Sequence, residues 1–251
     1  MWSILIVLLI LFLMIFKNSI TEKYEQQKTG PVSKIIHQTA PGDKSKWHPI
    51  WKHCQESWKT KFPDYEYKFW SDEDLENFIA TKYPWFLDTY KGYDKTIKRV
   101  DSARYFILYE YGGIYADMDF ECINNFEHLL PEHKVSIAES PWKDDDREGG
   151  RELYQNALMA SPPKHPFWEK VFKLLEDNKN HHDVLHATGP QIICNAVKLS
   201  NFNHIKALES ELFAPKHDDS FKTSWVHNIK HVQELKNPNI FSRHHGTAMW
   251  I

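Results

Sequence analysis

From Trp2 to Phe16 every residue except Ser3 is apolar, and Lys17 ends the run. At about 1.5 Å per residue a helix here spans about 22 Å, short of a roughly 30 Å hydrocarbon core unless flanking residues snorkel. No small-x-small cleavage site follows in Lys17-Asn18-Ser19-Ile20-Thr21, so residues 1–17 read as an uncleaved signal anchor, a single transmembrane helix. Residues 18–31, polar and closed by Gly30-Pro31, read as a stem, and 32–251 as one globular domain. Lys17 and Lys23 lie on the C-terminal side of the run, and by charge alone they favour a cytosolic domain.

Past the stem the period switches repeatedly between that of a strand and that of a helix. Val32 to Gln38 predicts a strand closed by Pro41-Gly42. Trp47, Trp51, Cys54 and Trp58 form a helical stripe over residues 47–61. Tyr65 to Trp70 alternates aromatic and charged residues, a second strand. Ser71 with Asp74 three positions on predicts a capped helix through Leu75, Phe78 and Ile79. From Ile97 to Tyr111 a helix places Val100, Ala103 and Ile107 on one face and Asp101, Arg104, Tyr105 and Leu108 on the next. Gly112-Gly113 stops it, and Ile114 to Asp117 reads as a buried strand. Residues 166–178 and Gln191 to Leu199 are further helices. Strands alternating with helices predict an α/β fold, in which ligands bind at the carboxyl ends of the strands.

Asp117 and Asp119 stand at such an end. On an extended segment, carboxylates one residue apart point to the same side, and two such oxygen donors suit Mn²⁺ or Mg²⁺ bridging to a phosphate. One turn apart on the preceding helix, Asp101 can accept from sugar hydroxyls and Arg104 can donate to hydroxyl or phosphate oxygens; a local ion pair is the plainer reading. The charged loop Lys143 to Gly150 suits a solvated surface or a lid, and His181, His182 and His186 read as a surface cluster lacking the glutamate of H-E-x-x-H.

Composition adds exclusions. The net charge of -3 gives no footprint for nucleic acid. Three cysteines without a C-x-x-C pair give no zinc site and no dense disulfide framework. G-x-S-x-G, G-x-G-x-x-G and G-x-x-x-x-G-K are absent, which disfavours serine hydrolase, dehydrogenase and P-loop chemistry.

Taken in order, Lys34-Ile35-Ile36-His37-Gln38, Trp70-Ser71-Asp72, Tyr83-Pro84-Trp85-Phe86, Arg99-x-Asp101-x-x-Arg104-Tyr105, Gly112-Gly113-Ile114-Tyr115, Asp117-x-Asp119, Asn156 to Ser161, His165-Pro166-Phe167-Trp168, Thr188-Gly189-Pro190 and the His244-His245 tail with Trp250 form a specific set. The set resembles glycosyltransferase family 32, the DXD-containing proteins that include α-1,6-mannosyltransferases and the catalytic subunits of inositolphosphoceramide mannosyltransferase. The resemblance implies a GT-A fold, a Rossmann-like sheet with one nucleotide-sugar site. It puts Ile36, His37 and Gln38 near the nucleotide, Asp101 and Arg104 on the donor sugar with Tyr105 and Asn156, and Asp117 and Asp119 on ribose and metal. It makes His244 or His245 a further metal ligand, Trp250 a cover for the diphosphate, and Asp101, Arg104 and Asp119 the catalytic set. The tail departs from the family, reading Gly246-Thr247-Ala248-Met249-Trp250 where a Ser-Trp ending is usual. The implied activity is metal-dependent, retaining hexosyl transfer, from GDP-mannose or a UDP-sugar to a glycan or glycolipid, on the lumenal face of Golgi or ER. A non-catalytic sugar-binding or partner-stabilising subunit with the same fold is the alternative.

Overall fold

The apolar run after the stem forms β1, Ile35–Thr39, and the alternating aromatic segment forms β2, Glu66–Trp70, parallel to it. They belong to the computed structural model of the chain, which describes residues 29–141, 153–200, 202–215 and 239–247, together with Val7. The expected anchor apart from Val7, most of the stem, the loop from Lys143 to Gly150, and Trp250 lie outside the described residues. Among the described residues no helix is long and apolar enough to cross a membrane.

Between β1 and β2 runs α1, Pro49–Lys61, which starts two residues later than the tryptophan stripe suggested because His48 caps it and Pro49 fixes its first turn. The Ser71–Asp74 capping box opens α2, Asp72–Lys82, as its sequence predicts. A short α3, Leu87–Gly92, leads into α4, Thr96–Tyr111. Its two-face pattern understates the burial: the helix is buried on all sides from Val100 to Leu108, because it lies between the sheet and a further layer of helices. Gly112 ends α4 at φ 65°, and Gly113, at φ 92°, passes so close to β1 that a Cβ would meet the Ile35 carbonyl oxygen at 2.4 Å.

That approach lets β3, Gly113–Ala116, lie parallel to β1, with Ile114 opposite Ile36. Further on come β4 (Phe120–Cys122), β5 (Val135–Glu139), β6 (Tyr154–Ser161), α5 (Phe167–Asp177), α6 (Val184–Ala187), α7 (Pro190–Lys198), β7 (Ile205–Leu208), α8 (Ser210–Phe213) and β8 (Ser242–His244). The main sheet has the order β2-β1-β3-β6-β5-β7, with β6 antiparallel to both neighbours. Alternate residues feed two cores. Tyr115, Met159 and Ile137 face the cluster under α2, α4, α5 and α7, whereas Ile36, Ile114 and Ala116 face Trp58, Phe62 and Phe126 on the other side. A second, two-stranded sheet pairs β4 with β8, Phe120 opposite His244, and so carries a distant segment to the end of β3.

Candidate active site

Asp117 leaves β3 at its carboxyl end, and Asp117 to Phe120 form a turn closed by the Phe120 amide donating to the Asp117 carbonyl at 2.9 Å. The two carboxylates therefore converge through a turn and not through the alternation of an extended strand. Asp117 is held through one oxygen and Asp119 through both. Asp117 Oδ1 accepts from the Tyr115 hydroxyl at 2.8 Å and lies 3.2 Å from Arg104 Nη1. Asp119 Oδ2 accepts from the Thr247 amide at 2.6 Å and its hydroxyl at 3.0 Å, while Oδ1 lies 3.3 Å from His244 Nε2.

Asp117, Asp119 and His244 each offer a donor atom, all within 4.8 Å of one another. Around an ion with ligands at about 2.1 Å, neighbouring donors sit roughly 3 Å apart and opposite ones about 4.2 Å, so these three fit a small divalent cation with slight closure. His245, the other candidate ligand, turns away: its ring contacts Glu121 at 3.0 Å while its amide donates to the Asp119 carbonyl at 2.9 Å. The alternation of β8 past His244 sends consecutive histidines in opposite directions. Glu121 also takes His53 at 2.9 Å.

The Asp101–Arg104 pair is buried. Arg104 Nη2 lies 2.7 Å from Asp101 Oδ1, and its Nη1 donates to the Asn156 carbonyl at 2.9 Å. Its guanidinium also stands 4.7 Å over the Tyr115 ring. Asn156 Nδ2 donates to Asp101 at 3.2 Å and to the Tyr105 hydroxyl at 3.0 Å, and that hydroxyl donates to the Thr188 carbonyl at 2.7 Å. Asp101 and Arg104 thus form more than an isolated surface pair, since three other elements close on them.

Ile36 and His37 are fully buried, so neither side chain meets the site directly. His37 accepts at Nδ1 from Trp70 at 3.2 Å, and because an indole N–H only donates, Nε2 carries the proton to the Gly112 carbonyl at 3.0 Å. Gln38, equally buried, contacts the aspartate turn, donating to the Asp117 carbonyl at 3.1 Å while accepting from Tyr67 at 2.8 Å. Tyr115, Thr247, Glu121 and Thr39, whose hydroxyl meets that of Tyr115 at 2.9 Å, escaped the sequence reading as site residues. The departure in the tail was the one signal, since Thr247 belongs to it.

Burial and crowding set the electrostatics. Burial raises Asp101 to about 6 against the pull of Arg104. Burial and the like charge of Asp119 raise Asp117, opposed by Arg104. Asp119 is also pushed up by burial, but His244 and the Thr247 hydrogen bonds hold it well below the usual carboxylate range. Burial works against a charge on His244, yet Asp119 and Asp117 raise it. The corner concentrates negative charge and draws in positive charge.

Residues 49–136 match the family described as the glycosyltransferase sugar-binding region containing the DXD motif. The chain is 35% identical over 222 residues to inositol phosphoceramide mannosyltransferase 3 of Schizosaccharomyces pombe, covering 81% of this chain and 58% of that protein. It is 36% identical over 168 residues to mannosyl phosphorylinositol ceramide synthase SUR1 of Saccharomyces cerevisiae, covering 63% of this chain and 40% of that protein. The chain therefore spans about half the length of the curated relatives it matches. Among solved structures, the PaToxG glycosyltransferase superposes with a TM-score of 0.52 at 19% identity, over 74% of this chain and 76% of that one, a likeness of fold. The sheet order, the turn that carries both aspartates and these matches agree: the fold is a GT-A-like α/β fold, and the chain belongs to the glycosyltransferase family whose sugar-binding region contains the DXD motif.

Proposed function

We propose that the chain is a hexosyltransferase that moves mannose from a nucleotide sugar, GDP-mannose in preference to a UDP-sugar, to a hydroxyl of an inositol-bearing glycolipid. The observation that carries this reading is the junction at Asp117, which touches Arg104 of the buried sugar-facing pair and belongs to the cluster with Asp119 and His244. A sugar diphosphate calls for both halves, hydroxyl-binding groups for the ring and positive charge for the diphosphate. The mannosyl donor and the lipid acceptor are supported by the names of the relatives.

In this reading Asp117, Asp119 and His244 hold the cation, and one imidazole in an otherwise carboxylate set favours Mn²⁺ over Mg²⁺. The bound ion supplies counter-charge to the leaving diphosphate. Asp101 and Arg104 orient the donor sugar. Asp101 Oδ1 already serves Arg104 and Asn156, and Oδ2 faces Thr188 at 3.4 Å, which suits a positioning group better than a nucleophile. Retention is taken from the family resemblance, and with no nucleophile in place a retaining transfer runs on a single face. The acceptor oxygen bonds to C1 on the face from which the diphosphate departs, the bond from C1 to the phosphate oxygen breaks, and the hydroxyl proton passes to the leaving diphosphate. The apolar run 1–17 and the 18–31 stem support an anchored domain, 32–251, and the family resemblance, against the charge of Lys17 and Lys23, supports the lumenal side of Golgi or ER.

Incubation with GDP-mannose, Mn²⁺ and an inositol phosphoceramide tests the reading through GDP release and mannosylated lipid. Asp119→Asn keeps the acceptor for Thr247 and lowers turnover by about 10³-fold in a protein that still unfolds cooperatively above the assay temperature. Full activity in that variant refutes the assignment.

A further inference from the structure

The loop after β1 leaves the sheet at the same edge as the aspartate turn, because β1 and β3 run parallel. On that edge stands a third apolar cluster, separate from both cores. Ala40, Trp51 and Met118, the middle residue of the aspartate turn, are buried together, and the partly exposed Trp47, Ile50 and Phe69 pack on them. The Trp47 indole is fixed by its N–H, which donates to the Pro41 carbonyl at 2.8 Å, and by Phe69, with ring centroids 5.4 Å apart. Trp51 continues inward, donating to the Thr247 hydroxyl at 3.1 Å, and Thr247 holds Asp119. Across the site the apolar surface resumes. Leu153, 46% exposed, immediately precedes β6, whose antiparallel run against β3 puts its start at this edge. Leu185, 45% exposed, stands on α6, just before the Thr188 that reaches Asp101.

Apolar side chains from three separate segments thus border the site, and basic ones stand beside them. Lys44, Lys46 and Lys52 are exposed and make no ion pair among the described residues, and Lys44 lies 5.4 Å from the centre of the Trp47 ring. Asp43 is taken up by Ser45. Asp72, whose field reaches Lys46, and Glu73 open α2 beyond β2, at the far end of the edge. Indole and ammonium groups around an apolar surface suit a lipid–water boundary, where the ring sits among headgroups and the cation meets phosphates. A protein seated on all three segments would cover the donor site, whereas a bilayer brings a lipid acceptor to it. The opposite edge fits less well: Trp85 is 56% exposed there, but Lys82 and Lys164 are both spent on Glu110. The stem joins that opposite edge, where Thr29 meets His133 just before β5. Residues 18–28 reach at most about 36 Å, roughly twice the height of a five-residue strand, so the apolar run 1–17 and the aspartate edge can meet one bilayer.

We propose that the aspartate edge rests on the bilayer through Trp47, Ile50, Leu153 and Leu185, so that the acceptor headgroup is met in the plane of the membrane; the anchor and the lipid acceptor rest on the function proposed above. The full chain is mixed with excess vesicles of phosphatidylcholine and phosphatidylserine, carrying a fluorophore at Ser45→Cys, Leu185→Cys or Trp85→Cys. Cys54, Cys122 and Cys194 are buried and stay unlabelled. Labels at 45 and 185 lose their emission to brominated lipid, and the label at 85 keeps it. In transfer assays Lys44→Glu combined with Leu185→Ser raises the KM for vesicle-borne inositol phosphoceramide by about tenfold and leaves the KM for GDP-mannose unchanged. Quenching at 85 alone, equal quenching at all three positions, quenching at none, or an unchanged lipid KM overturns the surface. Vesicle flotation and GDP release report on the other two readings. Protein left behind by floating vesicles defeats the anchor and absent GDP release defeats the transferase, while the quenching pattern still decides the surface.

Discussion

His37 ties β2 to the end of α4 through a neutral ring, and that neutrality has a pH cost. Burial lowers its pKa to about 3, against about 6.5 in the unfolded chain. Between these values the unfolded chain binds a proton that the folded chain refuses, so stability is full above about pH 6.5 and falls as pH drops, by about 1.4 kcal/mol per unit. Asp101 works in the opposite sense between about 4 and 6, since its folded pKa is raised. Comparison with His37→Gln, whose amide can still donate to Gly112 and accept from Trp70, isolates the histidine. Urea midpoints measured from pH 7 to 5 fall less steeply in the variant, and parallel slopes would show that His37 carries a proton in the fold.

At the scale of elements, β8 decides which histidine serves the site. His244 stacks on Phe120 with ring centroids 4.8 Å apart and reaches Asp119, while His245 fastens the strand to Glu121. His245→Ala is expected to weaken Mn²⁺ by about 10–100-fold, as loss of a group that positions a ligand does, and His244→Ala by more. Isothermal titration with Mn²⁺ gives the ranking, and the reverse order would transfer the ligand role to His245. The sequence could not choose between adjacent histidines, because the choice rests on the register of β8 against β4, a pairing between distant segments. Local signals did better: the Ser71–Asp74 box, the Gly112 stop and the i,i+3 spacing of Asp101 and Arg104 each act within one or two helical turns. Tyr115 and Thr247 were illegible for the same reason as the histidine choice, since their partners come together only when strands and tail assemble. Ile36 and His37 show the converse, a motif beside the site whose side chains serve the core.

For the molecule as a whole, the site sits where the two cores meet, at the carboxyl edge of the sheet, and β8 joins it to the rest chiefly through β4. Ligands that bridge Asp117, Asp119 and His244 therefore bind the folded state alone. GDP with Mn²⁺ at about a hundred times their Kd adds roughly 2.7 kcal/mol, a rise of about 5–10 °C in Tm for a chain of this size. Scanning fluorimetry measures it, and Asp119→Asn is expected to remove the rise; an equal rise in that variant would mean that the nucleotide binds elsewhere.

Thr247 clamps Asp119 from 128 residues downstream, and the imidazole beside that carboxylate comes from the same distant strand. A polypeptide still on the ribosome, with its aspartate turn already synthesised, holds the two carboxylates but not the imidazole of His244. In the proposed reading it cannot gather its cation until β8 has been translated and has docked on β4, so metal capture becomes a report that these two distant segments have paired.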